Sequence, residues 1–181
     1  MPAEIIPLTR FFAEHGPSAQ EEFISLFGGG FLLIRIRGAP PGAVFLPRQD
    51  GFTMKIGSDE DMDLSFEEDQ TLDAHHATLL YHRGFRGWTV EDHETSFGTH
   101  VGKERLQKGR PHLLQDRDLV KLGGGIVEMQ FYLAETLWKR MHKAGITKTL
   151  HKKPSGEVPG GAFPKPAPAP PPEIEELDEE E

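Results

Sequence analysis

Between Phe31 and Leu133 no segment keeps a helical period. Six short runs take its place: FLLIRIR (31–37), GAVFLP (42–47), FTMKIG (52–57), HATLLYH (76–82), GWTVED (87–92) and IVEMQFYL (126–133). They are rich in Val, Ile, Phe, Tyr and Thr, and Gly, Pro and Asp separate them at intervals of about 8–12 residues. Strands without crossover helices between them cannot form a parallel sheet, so the pattern predicts an all-β antiparallel sandwich. The run of about 100 residues suffices for two packed sheets.

The flanks read differently. Residues 1–30 predict a helical segment. Leu8 to His15 is closed by Gly16-Pro17, and Ser18 with Glu21 reads as a capping box ahead of Phe23, Ile24, Leu26 and Phe27. Gly28-Gly29-Gly30 stops that helix and reads as a flexible joint. No Lys-Ser/Thr follows it and no strand precedes it, which excludes a phosphate loop. Phe11, Phe12, Phe23, Ile24, Leu26 and Phe27 are too apolar to stay wet; they either cover the sheet of the same chain or dock a second chain. Residues 134–146 predict a helix with Leu137, Trp138 and Met141 on one side.

The rest, 147–181, predicts a disordered tail, first basic and then Pro-rich and acidic. The formal charge is −9, and residues 154–181 hold eight acids against one base, Lys165. PKPAPAPPP favours polyproline II, and EIEELDEEE repels itself with only Ile174 and Leu177 to bury. Lys139, Arg140, Lys143, Lys148, Lys152 and Lys153 precede this acidic end. An acidic end competing with phosphate for the same cations argues against nucleic-acid binding.

Several functions are excluded outright. Cys is absent, which removes disulfides, thiolate metal sites and cysteine nucleophiles. No apolar run approaches 18 residues, so no membrane-spanning helix is expected. The start, MPAEIIPLTRFF, carries Glu4 and no basic run before an apolar core. It reads poorly as a signal peptide, and the expected location is cytoplasmic. No serine sits on a G-x-S-x-G turn. His75-His76 and Asp92-His93-Glu94 carry metal-ligating types, but adjacent strand residues face opposite ways, so no metal site and no cofactor are expected. The chain reads as a non-enzyme.

One ordered set of features is more specific. Gly57 ends a strand and is followed by an acidic loop and Asp63-Leu64; then come Leu72-Asp73-Ala74-His75-His76-Ala77-Thr78-Leu79 and Trp88-Thr89-Val90-Glu91-Asp92. Thr95-Ser96-Phe97-Gly98-Thr99-His100-Val101 follows, then Leu114, Asp116-Arg117-Asp118, Val120 and Leu122-Gly123. Over residues 31–133 this resembles the forkhead-associated (FHA) domain, an 11-strand β-sandwich that binds phosphothreonine peptides with the loops at one end. The resemblance implies a site at Ser58, Asp73, Ala74, His75, Thr95, Ser96 and Phe97, with Gly57, His76, Gly98 and Thr99 as its scaffold.

The implied site departs from the family pattern. Ser58 stands where the family carries an Arg, Asp73 where it carries a phosphate-binding Ser, Ala74 where Arg or Lys is frequent, and Phe97 where an Asn holds the peptide backbone. Phosphothreonine carries about −1.5 to −2 at pH 7, and each charge-assisted hydrogen bond to it contributes roughly 1.5–3 kcal/mol. Two of these are lost. A carboxylate ~4 Å away opposes the dianion by about 4 kcal/mol at an effective dielectric of ~20, before exposure discounts it. A micromolar complex rests on only about 8 kcal/mol.

The primary expectation is therefore a non-enzymatic adaptor that binds another protein independently of phosphate. A second reading keeps phosphothreonine binding downstream of a kinase, with His75, His93, His100, Lys103 and Arg83 replacing the lost cation. A third is a structural subunit of a larger assembly. Phe97 either contacts a partner or folds under to fill the sandwich.

Overall fold

The computed structural model describes residues 3–143. The chain runs β1 (Ile6–Pro7), α1 (Leu8–His15), α2 (Gln20–Leu26), β2 (Gly30–Ile36), β3 (Gly42–Leu46), β4 (Thr53–Gly57), β5 (Leu64–Ser65) and β6 (Ala77–His82). It continues through β7 (Gly87–Asp92), β8 (Thr99–Val101), β9 (Glu104–Arg105), β10 (His112–Leu113), β11 (Leu119–Leu122), β12 (Val127–Leu133) and α3 (Ala134–Lys143). A seven-stranded sheet, β1-β3-β2-β12-β11-β8-β9, packs on a five-stranded sheet, β10-β7-β6-β4-β5. The helix expected over 134–146 is described to Lys143, and the tail expected over 147–181 lies outside the described residues. No described helix is long and apolar enough to cross a membrane.

Side-chain alternation tells which faces are covered. In β6 it is strict: Ala77, Leu79 and Tyr81 are buried while Thr78, Leu80 and His82 are not. In β2 it fails, because Gly30, Phe31, Leu32, Leu33 and Ile34 are all buried. Leu32 and Ile34 enter the core between the sheets with Ile56, Leu79, Trp88, Val90 and Met129. Phe31 and Leu33 enter a second core on the outer face of the seven-stranded sheet, with Phe11, Phe12, Phe23, Tyr132, Leu137 and Met141. All three helices thus cover the sheet of their own chain. The Phe11 and Phe31 rings stand 5.3 Å apart and edge-on, and Phe23 stacks on Phe31 at 5.8 Å.

Four local expectations are corrected. Helix α2 is capped at Ala19 with no side-chain bond, in place of the Ser18–Glu21 box. The Ser18 carbonyl instead accepts the indole N–H of Trp138 at 3.0 Å, which ties the turn to α3. The glycine triplet is no flexible joint either. A Cβ on Gly29 would overlap the carbonyl of Leu46, and one on Gly30 would meet the Phe131 ring, so close packing demands both. One strand pair, β4–β5, is parallel rather than antiparallel. The Asp63 carboxylate accepts the Lys55 N–H at 2.9 Å and draws the chain back beside β4. Phe97 does not fold under; it is 54% exposed.

The aromatic layer gives a direct test. Phe23 has no exposed surface, and Phe23→Ala should cost roughly 3–5 kcal/mol in urea unfolding. Leu26 on the same helix is 62% exposed, and Leu26→Ala should stay within about 0.5 kcal/mol.

Candidate functional site

Three loops meet at one end of the five-stranded sheet: the exit from β4, the segment before β6, and the β7–β8 connection. Gly57 makes the first meeting possible. A Cβ there would overlap the carbonyl of Ala74, so only glycine lets residues 73–74 cross β4. The Ser58 and Asp59 N–H groups then donate to the carbonyls of Asp73 (3.1 Å) and Ala74 (3.2 Å). The Ser58 hydroxyl donates to the Leu72 carbonyl at 3.1 Å.

His76 joins the second loop to the third. Its side chain is fully buried. Nδ1 accepts the Asp73 N–H at 3.2 Å, which places the ring proton on Nε2, and Nε2–H donates to the Gly98 carbonyl at 3.2 Å. The Gly123 N–H meets the same carbonyl at 3.1 Å. Burial pushes the His76 pKa below its usual value, although the Gly98 carbonyl and the carboxylates of Asp92, Asp73 and Asp69 pull the other way. The ring is neutral near pH 7.

Asp92 builds the third loop from beneath. It is 1% exposed and accepts the Thr95 N–H (3.1 Å) and the hydroxyls of Thr95 (2.7 Å) and Thr99 (2.8 Å). Burial works to raise its pKa, but the hydrogen bonds from Thr95 and Thr99 outweigh it and hold the carboxyl below its usual range. The Thr95 hydroxyl also accepts the Gly98 N–H at 3.0 Å. Thr95, expected among the ligand contacts, is thus a buried brace, as is Thr99. Asp92, considered with His93 and Glu94 as a metal ligand, is used up inside the loop.

Asp73 has an internal partner. Its Oδ2 accepts the Ser96 N–H at 3.1 Å and lies 3.8 Å from His76 Nδ1, while its side chain stays 43% exposed. The carboxylate therefore stitches the second and third loops together. Ala74, Ser96 and Phe97 are exposed around it.

The cations fall elsewhere than expected. The His75 and His93 rings stand 3.9 Å apart, with the Thr78 hydroxyl within 2.9 and 2.8 Å of their Nε2 atoms. Burial lowers the His75 pKa, and its neighbours His93 and Lys55 lower it further. Arg83 lies in the β6–β7 turn, at the opposite end of the sheet. The guanidinium at the loop tip belongs to Arg105, which packs on Gly98 and donates to the Ser96 carbonyl at 3.2 Å and the Thr95 carbonyl at 3.4 Å. Lys108 donates to the Glu94 carbonyl at 3.4 Å. The sequence reading missed Arg105, Lys108 and the bracing role of Asp92. The Asp-x-x-Thr spacing of residues 92 and 95 carries a signal for the brace, whereas nothing local marks Arg105. Among the described residues no group of three His, Asp or Glu side chains is placed to hold a metal ion.

The braces have measurable consequences. A folded pKa below the unfolded value of about 6.5 means that the unfolded chain takes up the His76 proton first. Stability from this group is complete above pH ~6.5 and falls as the pH drops below it. His76→Asn should be less stable at pH 7.5 and lose less on going to pH 5.5, measured as unfolding free energies at both values. Asp92→Ala leaves both Thr95 and Thr99 without their acceptor and should cost at least about 3 kcal/mol.

Comparison with known proteins agrees with this architecture. The FHA domain family model matches residues 54–123. Full-length yeast Pml1p superposes with a TM-score of 0.50 at 16% identity, covering 65% of this chain and 95% of that one. The MEK1 FHA domain gives 0.50 at 14% identity, covering 62% and 96%. The N-terminal FHA domain of S. cerevisiae Rad53p, solved in complex with a phosphothreonine peptide, gives 0.50 at 12% identity, covering 62% and 98%. Likeness at these identities speaks for the fold alone. No curated protein matches the sequence. The FHA family model over residues 54–123 and the superposed solved domains agree that the sandwich of this chain has an FHA-like fold.

Proposed function

We propose that this chain is a non-enzymatic adaptor whose FHA loops bind a segment of another protein independently of phosphate. The observation that carries this reading is the Ser96 N–H, which already holds the Asp73 carboxylate at 3.1 Å. Ser58, at the usual arginine position, turns its hydroxyl proton onto the Leu72 carbonyl. Both positions that would read a phosphate serve the loops themselves, and a dianion would meet a fixed negative charge.

The outer surface supplies other contacts. Phe97 is 54% exposed on the tip of the third loop, and covering it contributes roughly 1.5–3 kcal/mol at most. Arg105 and Lys108 flank the same loop with positive charge. The combination suits an extended segment with an apolar residue for Phe97 and an acid beside it.

A second reading keeps phosphothreonine, because the Arg105 guanidinium at Gly98 is a cation the sequence did not place there. Capture of partners by the full chain, with and without phosphatase treatment, separates the two. On the primary reading Phe97→Ala lowers capture about 5- to 100-fold, the equivalent of about 1–3 kcal/mol, and by the same factor before and after phosphatase treatment. Phosphatase sensitivity of the Phe97-dependent part of capture would favour the second. The double variant Ser58→Arg/Asp73→Ser should gain at least tenfold in phosphothreonine-peptide affinity by calorimetry; no gain would show that the lost charge logic is not what closes the site.

A further inference from the structure

The strongest unassigned feature lies at the other end of the sandwich. β6 leaves the loop cluster at Ala77 and ends at His82, and β7 starts back from Gly87. The turn between them is therefore a strand length away, about 20 Å. The β3–β4 connection reaches the same end, because β4 begins there at Thr53. The two turns are tied: the Arg83 N–H donates to Asp50 Oδ1 at 3.2 Å, and the Tyr81 N–H donates to the Phe52 carbonyl at 3.0 Å.

Between them lies an open concavity lined by Arg48, Asp50, Tyr81, Arg83 and Arg86. Tyr81 is 7% exposed and forms its floor. None of the three guanidiniums has a carboxylate within 4.0 Å among the described residues. Arg86 also adopts φ 50, a left-handed conformation disfavoured for a side chain with Cβ, although Gly84 and Gly87 flank it. The turn therefore holds an arginine in a conformation that a glycine would take more easily, as the chain also does at Glu94 and Arg117. Beside it Phe85 is 72% exposed.

We propose that Arg48, Arg83 and Arg86 form a phosphate-monoester site, which takes a phosphoserine or phosphothreonine side chain of a partner protein. A planar guanidinium presents paired N–H groups that match two phosphate oxygens, and a phosphate offers three such oxygens to three arginines. A carboxylate offers two. The net charge of −9 repels an extended polyanion such as a nucleic acid, whereas one phosphate on a protein brings no comparable repulsion. Phe85 gives an apolar neighbour of the phosphorylated residue somewhere to rest.

The test is a site-resolved NMR titration of the full-length chain with a pool of short phosphoserine and phosphothreonine peptides. The expected result is saturable shifts at residues 48–50 and 81–87. Arg83→Gln/Arg86→Gln should weaken binding at least tenfold without changing the remaining spectrum. Arg10→Gln, on α1, should leave the affinity unchanged. Absence of shifts at 48–50 and 81–87 overturns the proposal. So does equal binding of the same peptides without phosphate or with Glu in its place, and so does full affinity in the double variant. Shifts at residues 57–59, 73–76 and 95–99 report on the other end of the molecule, so failure here and failure of the phosphate-independent reading are distinguishable.

Discussion

The loop end of this domain depends on one neutral imidazole. His76 has no exposure, and its two nitrogens have opposite duties: Nδ1 accepts from Asp73 and Nε2–H donates to Gly98. Those duties require one tautomer, and protonation would turn the Nδ1 acceptor into a second donor facing an N–H. Burial keeps that proton off. Asp92 carries the complementary duty as a buried anion that only accepts, from three donors on the following loop. A donor–acceptor ring and a pure acceptor fix the shape of loops that have almost no regular structure.

Such bracing separates shape from specificity. Every bond made by His76, Asp92, Thr95 and Thr99 ends on the domain itself, and Gly57 and Gly98 matter for the space they leave. The exposed Phe97 side chain carries none of that burden, so it can change chemistry while the loops keep their course. Asp73 goes a step further. An anion in this position would otherwise be left facing whatever arrives, but the Ser96 N–H binds it and converts a misplaced charge into a third stitch between loops.

Much of the architecture was legible because periodicity reports burial. The alternation of β6 marks a strand with one covered face, and the Leu8–His15 helix emerges from its apolar spacing. The continuous apolar run of β2 is the trace of helices lying on its far face, one of the two covers that the phenylalanines before residue 28 left open. What failed depended on partners distant in sequence. Ser18 is a plausible cap until Trp138, at the other end of the domain, claims its carbonyl. Gly29 and Gly30 look like a joint until Leu46 and Phe131 occupy the space beside them. At the site, residue identities set Ser58 and Asp73 apart from the family pattern that the sequence resembles, but did not show where Asp73 would turn, because its partner lies 23 residues away. Arg105 carries no local mark, since only the pairing of β8 with β9 brings it over Gly98.

The same geometry explains how one sandwich can hold two unlike surfaces. Antiparallel strands deliver the β4 exit and the β7–β8 loop to one end, and the β3–β4 and β6–β7 turns to the other. The first end spends its polar groups on itself: the Ser58 hydroxyl, the Asp73 carboxylate and the Thr95 and Thr99 hydroxyls all bond inward. The second end leaves its arginines turned to solvent, with a backbone tie from Asp50 in place of an ion pair. Screening at physiological ionic strength reduces coupling between exposed charges beyond about 8 Å, and the two ends lie more than twice that apart along β6. A carboxylate at the loops therefore costs the arginines little, and a change of charge at one end barely alters the field at the other.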